Sequence, residues 1–463
     1  MNRYIAAALT STLVLASACQ DNPSAPSQDR VVAGSQQTLQ SLVTGIAAQD
    51  RGNYDGSYYL WGGIMARDAI VPTINESRFV TEFYTTPPDP SDFIGGSNWT
   101  GYYTLIRASQ NLLADASFKA LSTSDQAVTR GYIRTLEALS YIRLIEYRDQ
   151  NGAVIQGADP TKQDPIRTKQ AVLAFTSALL DSALTDLNAG SASVPFQLPS
   201  GYSLHGDYSQ TANLVLLNRG LKGKVEVMRA LDNGAPAVAA NATAALAALN
   251  IALANAPSPM TQAYLNMGPW YEYNPAAPES VSNPLPGSSH LVTDNFVNSF
   301  QAGDARAANV IPAAKTTVAG FSASNRLKST DPTNSSLQSA PLPSVRNAEL
   351  ILLRAQAEIA LGDLASATRD VNYVHTVEGG LAPYATFPSA AAAIQAVLYE
   401  YRYSFAYIGP QHIVALREYG LFNLAYVSQP GIPSPGANDA LVSQLPITQN
   451  ESNARGGNVT PQP

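Results

Sequence analysis

The sequence predicts a mainly α-helical protein in which paired helices are separated by long irregular loops. Three observations carry that prediction. Apolar residues recur at helical spacing in several segments, and these segments come in pairs divided by turn signals. Between the pairs, the stretches at roughly 50–97, 257–345 and 422–463 are rich in Pro, Gly, Ser, Asn and Tyr and show no period. Finally, 45% of the 463 residues are apolar and only 14% are charged, a balance that suits a folded chain with uncharged polar loops rather than a disordered one.

Taken in order, the first element is a leader. Arg3 precedes an apolar run from Ile5 to Ala16, too short to span a bilayer but of the length of a signal-peptide core. Ala16, Ser17 and Ala18 then lead into Cys19, the only cysteine in the chain. This pattern predicts a lipoprotein signal over residues 1–18 and an acylated Cys19, although Leu15 lies four residues before the cysteine where three is usual. An ordinary secretory signal followed by a free thiol is the alternative. The stretch "QDNPSAPSQDR" reads as flexible, giving a tether over 19–34 and one domain over 35–463.

Within that domain, Tyr132, Leu136 and Leu139 share one helix face, and Val172, Phe175, Leu179, Ala183 and Leu187 share another. Leu221, Val225 and Met228 precede a break at Gly234 and Pro236, after which Leu246, Leu249 and Leu253 mark a further helix. The clearest pair is near the C-terminus. Leu350, Leu353, Ala357 and Ala360 are followed, after Gly362-Asp363, by Leu364, Ala367, Val371 and Val374 in the same spacing. Ala357, Gly362 and Ala367 are small enough to let two antiparallel helices approach closely, as in tetratricopeptide-like hairpins. Arg346, Glu349, Arg354 and Glu358 fall three to five residues apart and read as ion pairs on a solvated face.

Four ordered blocks of the sequence follow the pattern of one known family. "WTGYYTLIRASQNLL", with Trp99, Tyr103, Ile106 and Gln110-Asn111, resembles the family's early helix. "RNAELILLRAQAEIALGDLASATRDVNYV" is the strongest match, through Arg346, Glu349, Leu353-Arg354, Ala357-Glu358, Gly362-Asp363 and Asn372. "YEYRYSFAYIGPQHIVALREYGLF" retains Glu400, Arg402, Gly409, Leu416-Arg417 and Gly420, and "LPITQNESN" retains Pro446, Ile447, Glu451 and Asn453. The chain departs from the pattern at Ser404 and Ile408, where acids are common, at His412, where an arginine is usual, and at Thr448 in place of a proline. Together these blocks resemble the SusD/RagB-like family of outer-membrane nutrient-binding lipoproteins, and the resemblance implies a SusD-like fold with no covalent chemistry. It further implies a lipid-anchored, outer-membrane protein that captures a nutrient such as an oligosaccharide and passes it to a TonB-dependent (SusC-like) transporter.

Enzymatic motifs are missing from the sequence. His205, His290, His375 and His412 are far apart, no Cys/His cluster or H-E-x-x-H occurs, and "GYSLHG" at 201–206 lacks the spacing of a nucleophile elbow. The net charge of −7 gives no basic face for nucleic acid. No cofactor is called for. Asp50, Asn53, Asp55 and Gly56 offer oxygen ligands of the kind calcium takes, but without EF-hand spacing, so the stretch reads as a plain Asx-rich turn, with a metal site as the alternative.

Aromatic rings are the stronger signal, because a ring face suits the C–H face of a sugar. "DRGNYDGSYYLWGG" carries Tyr59 and Trp61, and "LNMGPWYEYNP" carries Trp270 and Tyr271. These four are the candidate ligand-binding residues, expected to line one concave patch, with core packing as the alternative for each. Trp99 falls on a helical face with Tyr103 and Ile106 and reads as core. A helical-repeat scaffold lipoprotein that binds another protein is the rival function, and a carbohydrate hydrolase a third.

Overall fold

The paired helices form where the apolar period places them. The structure, a computed structural model, describes residues 34–72, 76–159, 161–277, 279–318 and 321–463. The expected signal peptide, Cys19 and all of the expected tether except Gly34 lie outside the described residues. The first helix, α1 (Gln36–Asn53), starts at Ser35, whose side chain accepts the Thr38 N–H. After it come α2 (Gly56–Met65), α3 (Thr100–Ala114), α4 (Thr123–Arg148) and α5 (Lys169–Ala189). The chain continues through α6 (Thr211–Ala230), α7 (Ala239–Ala252), α8 (Asn347–Ala360), α9 (Leu364–Val377), α10 (Ala390–Ser404) and α11 (Gln411–Glu418).

Four successive hairpins, α4–α5, α6–α7, α8–α9 and α10–α11, stack in chain order, because α5 packs on α6, α7 on α8 and α9 on α10. In the α8–α9 turn, Gly362 takes a φ of 81°, a left-handed conformation that glycine adopts without penalty, and Asp363 caps α9 by accepting the Ser366 N–H. Ala357 and Ala367 are both buried there. Buried apolar residues from Leu39 to Ile447 form one continuous cluster. Among the described residues, no helix is long and apolar enough to cross a membrane.

Two stretches expected as loop contain regular structure. Residues 56–65 are helical, with Asp55 accepting the N–H groups of Ser57 and Tyr58. The 257–345 stretch supplies most of a four-stranded antiparallel sheet of order β1-β5-β7-β6, built from β1 (Ala69–Ile70), β5 (Leu291–Val292), β6 (Val310–Val318) and β7 (Phe321–Leu327). Two short ribbons complete the strands: β2 (Ala153–Val154) with β3 (Ile166–Arg167), and β4 (Trp270–Tyr271) with β8 (Leu342–Pro343).

The charged residues of α8 are a correction. Arg346, Glu349, Arg354 and Glu358 are buried, and each finds a partner outside its own helix. Arg346 pairs with Glu378, Arg354 with Asp370 at 2.5 Å, and Glu358 with Arg369 at 3.2 Å. Lys224 lies 2.5 Å from both Glu349 and Glu146. Burial works against the charge on Glu146, yet Arg143 and Lys224 outweigh it and hold the carboxyl down to about 2. Paired charges thus tie the second and third hairpins to α4 in the middle of the helical stack.

Candidate functional site

The site is built on the two-residue strand β4. Trp270 lies opposite Pro343 and Tyr271 opposite Leu342, which fixes one edge of the strand. On the other side, the segment 201–206 is pressed against the same chain. A side chain at Gly201 would run into the Trp270 carbonyl, one at Gly268 into that of Val345, and the Gly268 N–H donates to the His205 carbonyl at 3.1 Å. Glycine at 201 and 268 is therefore required by close backbone approach.

This clamp sets the Trp270 indole. Its Nε1–H donates to the Asn266 carbonyl at 2.9 Å, and the ring centre lies 4.6 Å from that of His205, whose pKa burial lowers. The indole stays part-exposed and lines a groove of about 540 Å³. Tyr271, Tyr202 and Tyr273 contribute to the same groove, and α1 supplies one wall through Gln40, Thr44 and Arg51. Those three positions share a helix face, so a polar stripe of α1 meets an aromatic base. Arg51 donates to the Glu272 carbonyl at 3.1 Å and pairs with Glu279, while Ser200 donates to the Glu272 carboxylate. Gln40 is held by both the N–H and the carbonyl of Gln197, at 2.8 and 3.0 Å.

Beneath the groove, the Tyr271 hydroxyl lies 2.7 Å from Asp50 Oδ2 and 3.1 Å from Ser344 Oγ. Burial raises the Asp50 carboxyl to about 6 even though the Tyr271 hydroxyl and Arg143 favour its charged form. The Tyr54 ring fills the space below, with its centre 4.5 Å from Tyr271 and 6.0 Å from Tyr59.

Of the four rings expected in one patch, Trp270 and Tyr271 line the groove, and Tyr59 and Trp61 do not. Tyr59 has no exposed surface. Trp61 is 5% exposed and packs edge-on against Phe83 and Phe93, with ring centres 5.9 and 6.1 Å away. Both belong to α2, a helix buried on nearly all sides. Trp99 is core, as expected, with Tyr103 4.9 Å away and the Arg148 guanidinium over its ring. The acidic cluster at 50–56 disperses. Asp50 turns to Tyr271, Asn53 accepts from Gln49 at 2.7 Å, and Asp55 caps α2. Among the described residues, no group of three or more His, Cys, Asp or Glu is arranged to hold a metal ion.

No family model and no curated protein matches the chain by sequence. Solved structures match its whole architecture. A SusD-like carbohydrate binding protein from Bacteroides vulgatus superposes with a TM-score of 0.64 over 93% of this chain and 99% of its own, at 15% identity. The fold is SusD-like. A SusD superfamily protein from Bacteroides thetaiotaomicron gives a TM-score of 0.62 at 14% identity, covering 91% of this chain and 97% of its own. B. fragilis NanU gives 0.58 at 15%, covering 91% and 95%. The SusD-like hairpin stack therefore persists where few residues are shared, and the groove at Trp270 lies beside it on loop and α1 residues.

Proposed function

We propose that this chain is a saccharide-binding protein of the SusD-like type, which takes its ligand in the groove at Trp270 and performs no covalent chemistry on it. One observation carries the reading: a part-exposed indole, fixed by its own N–H bond, lies in a roughly 540 Å³ groove rimmed by Gln, Ser, Arg and Glu side chains. An aromatic face with a small number of directional polar groups is the combination that binds a sugar ring and sets its orientation. The carbohydrate binding named for the Bacteroides vulgatus neighbour supports the same class of ligand. Trp270 is the stacking residue in this proposal, the buried Tyr271 forms the floor beneath it, and Arg51 and Gln40 are the polar contacts.

The chain offers a direct test, because Trp61 and Trp99 are buried and Trp270 is the accessible indole. Saccharides that bind should change tryptophan emission in the parent and leave it unchanged in Trp270→Ala. If no neutral or acidic oligosaccharide perturbs the emission, the saccharide reading fails.

The cellular role in this proposal is delivery. Cys19 carries the lipid anchor at the outer membrane, and the ligand passes to a TonB-dependent, SusC-like transporter. Cys19→Ser should move the protein out of the membrane fraction, since one polar tether without acyl chains holds little membrane affinity. Retention of that variant after a salt wash would refute the anchor. Co-purification of a β-barrel transporter with the intact protein tests the partner.

A further inference from the structure

A second groove, of about 360 Å³, lies between α10, α11 and the short helix Leu424–Val427. Its inner surface is organised by one carboxylate. Asp68 accepts from Arg402 Nε at 2.8 Å on one oxygen and from His412 Nδ1 at 2.6 Å on the other. Because an ionised carboxylate only accepts, His412 donates to Asp68 from Nδ1, and its Nε2 has no partner among the described residues. Arg402 spends Nη2 on Asn295 Oδ1 at 2.7 Å, and Nη1 has no partner among the described residues. Neither Nη1 of Arg402 nor Nε2 of His412 is sealed from solvent, and both residues line the groove. The wall therefore presents a guanidinium N–H and an imidazole nitrogen side by side, positioned by the same carboxylate.

The chemistry of a ligand follows from that pair. The Arg402 charge is already balanced by Asp68, so the groove offers an anion little net attraction, and a bare cation would meet the guanidinium. A hydroxyl-bearing neutral molecule uses both groups, with one hydroxyl accepting from Nη1 and a neighbouring one, which can donate or accept, bonding to Nε2. The rest of the lining suits the same ligand. Tyr399 and Tyr426 present rings whose hydroxyls are occupied elsewhere, on Asp304 at 2.6 Å and the Ala66 carbonyl at 2.8 Å, and the exposed amides of Gln395 and Gln429 stand at the rim. We infer that this groove is a second binding site, independent of the one at Trp270, for a neutral polyhydroxylated ligand such as a single sugar residue.

The histidines allow the two sites to be read separately. His412 belongs to the second groove, His205 touches Trp270 in the first, and His290 and His375 are buried and line neither. The test is a side-chain ¹H–¹⁵N correlation spectrum of ¹⁵N-histidine-labelled protein, titrated with methyl β-galactoside, methyl β-glucoside and glucuronate up to tens of millimolar. A saturable shift of the His412 Nε2 signal by either neutral glycoside is expected. It should persist in Trp270→Ala and weaken about tenfold in the Gln395→Ala/Gln429→Ala double variant, the equivalent of about one lost hydrogen bond. A His412 signal that moves only with glucuronate, or with no probe, overturns the inference. Movement of His205 alone supports the first groove and refutes the second.

Discussion

Trp61 and Trp270 both stand beside tyrosines and glycines in sequence, and the molecule uses them in opposite ways. Trp61 sits on α2, where it is buried against Phe83 and Phe93 and where the next residue, Gly62, is pressed on the chain at Gly409 and Pro410, so its indole is structural. Trp270 sits on a two-residue strand held between β8 and the 201–206 segment, and its indole stays part-exposed at the groove, so it is available. What separates them is the number of elements packed against each, which is a property of the fold rather than of the ring. The closed region should therefore respond to mutation through stability, and the open region through binding.

The largest effect expected on the closed side is that of Trp61→Ala. Removing a buried indole from a packed helix should lower unfolding free energy by about 3–5 kcal/mol, measured by urea denaturation. A loss below about 1 kcal/mol would show that α2 is not enclosed as described. A smaller effect should follow from Ala367→Phe, which forces a ring between α8 and α9 and should cost about 1–3 kcal/mol by overpacking. An unchanged melting temperature for that variant would contradict the close approach of the two helices.

The smallest effect sharpens the comparison from the polar side. His290 is buried between Phe79 and Tyr407, with ring centres 6.1 and 6.2 Å away, and neither ring nitrogen has a partner among the described residues. Burial pushes its pKa down to about 3 from an ordinary value of 6.5. The folded state therefore binds fewer protons than the unfolded state in this window, and stability from this group is present above 6.5 and is lost as pH falls toward 3. Asp50, raised to about 6 by burial, works in the opposite sense: its contribution is present below 3.8 and is lost as pH rises through 6. His290→Phe should gain about 1 kcal/mol at neutral pH by removing two unpartnered nitrogens, and should flatten the acid limb relative to the parent. An identical acid limb in both proteins would show that His290 is not buried uncharged.

The hairpin stack was legible because its signal is local. Leu350 and Leu353 on one helix, Leu364 and Ala367 on the next, and the Gly362 turn between them lie within one stretch of chain, and the 3.6-residue period needs no knowledge of partners. Helix α2 was less legible because Gly56, Gly62 and Gly63 resemble loop composition. A side chain at Gly62 would come within 2.5 Å of Pro410 Cα, so that glycine serves close packing rather than a turn. The charges of α8 mislead for a related reason: spacing within a helix says nothing about Lys224, Asp370 or Glu378 arriving from elsewhere. At the groove, sequence pointed to Trp270 and Tyr271 but not to Gln40, Thr44 and Arg51, whose polar stripe became a wall only when the 197–202 and 270–274 segments were laid against it.

The central claim is that one indole is structural and the other functional, and a paired measurement of Trp270→Ala tests it most directly. Its unfolding free energy and its affinity for whichever saccharide the parent binds should be determined on the same preparation. The account predicts stability within about 1 kcal/mol of the parent and binding weakened by about 1–3 kcal/mol. Full affinity in a Trp270→Ala variant that remains folded would contradict it.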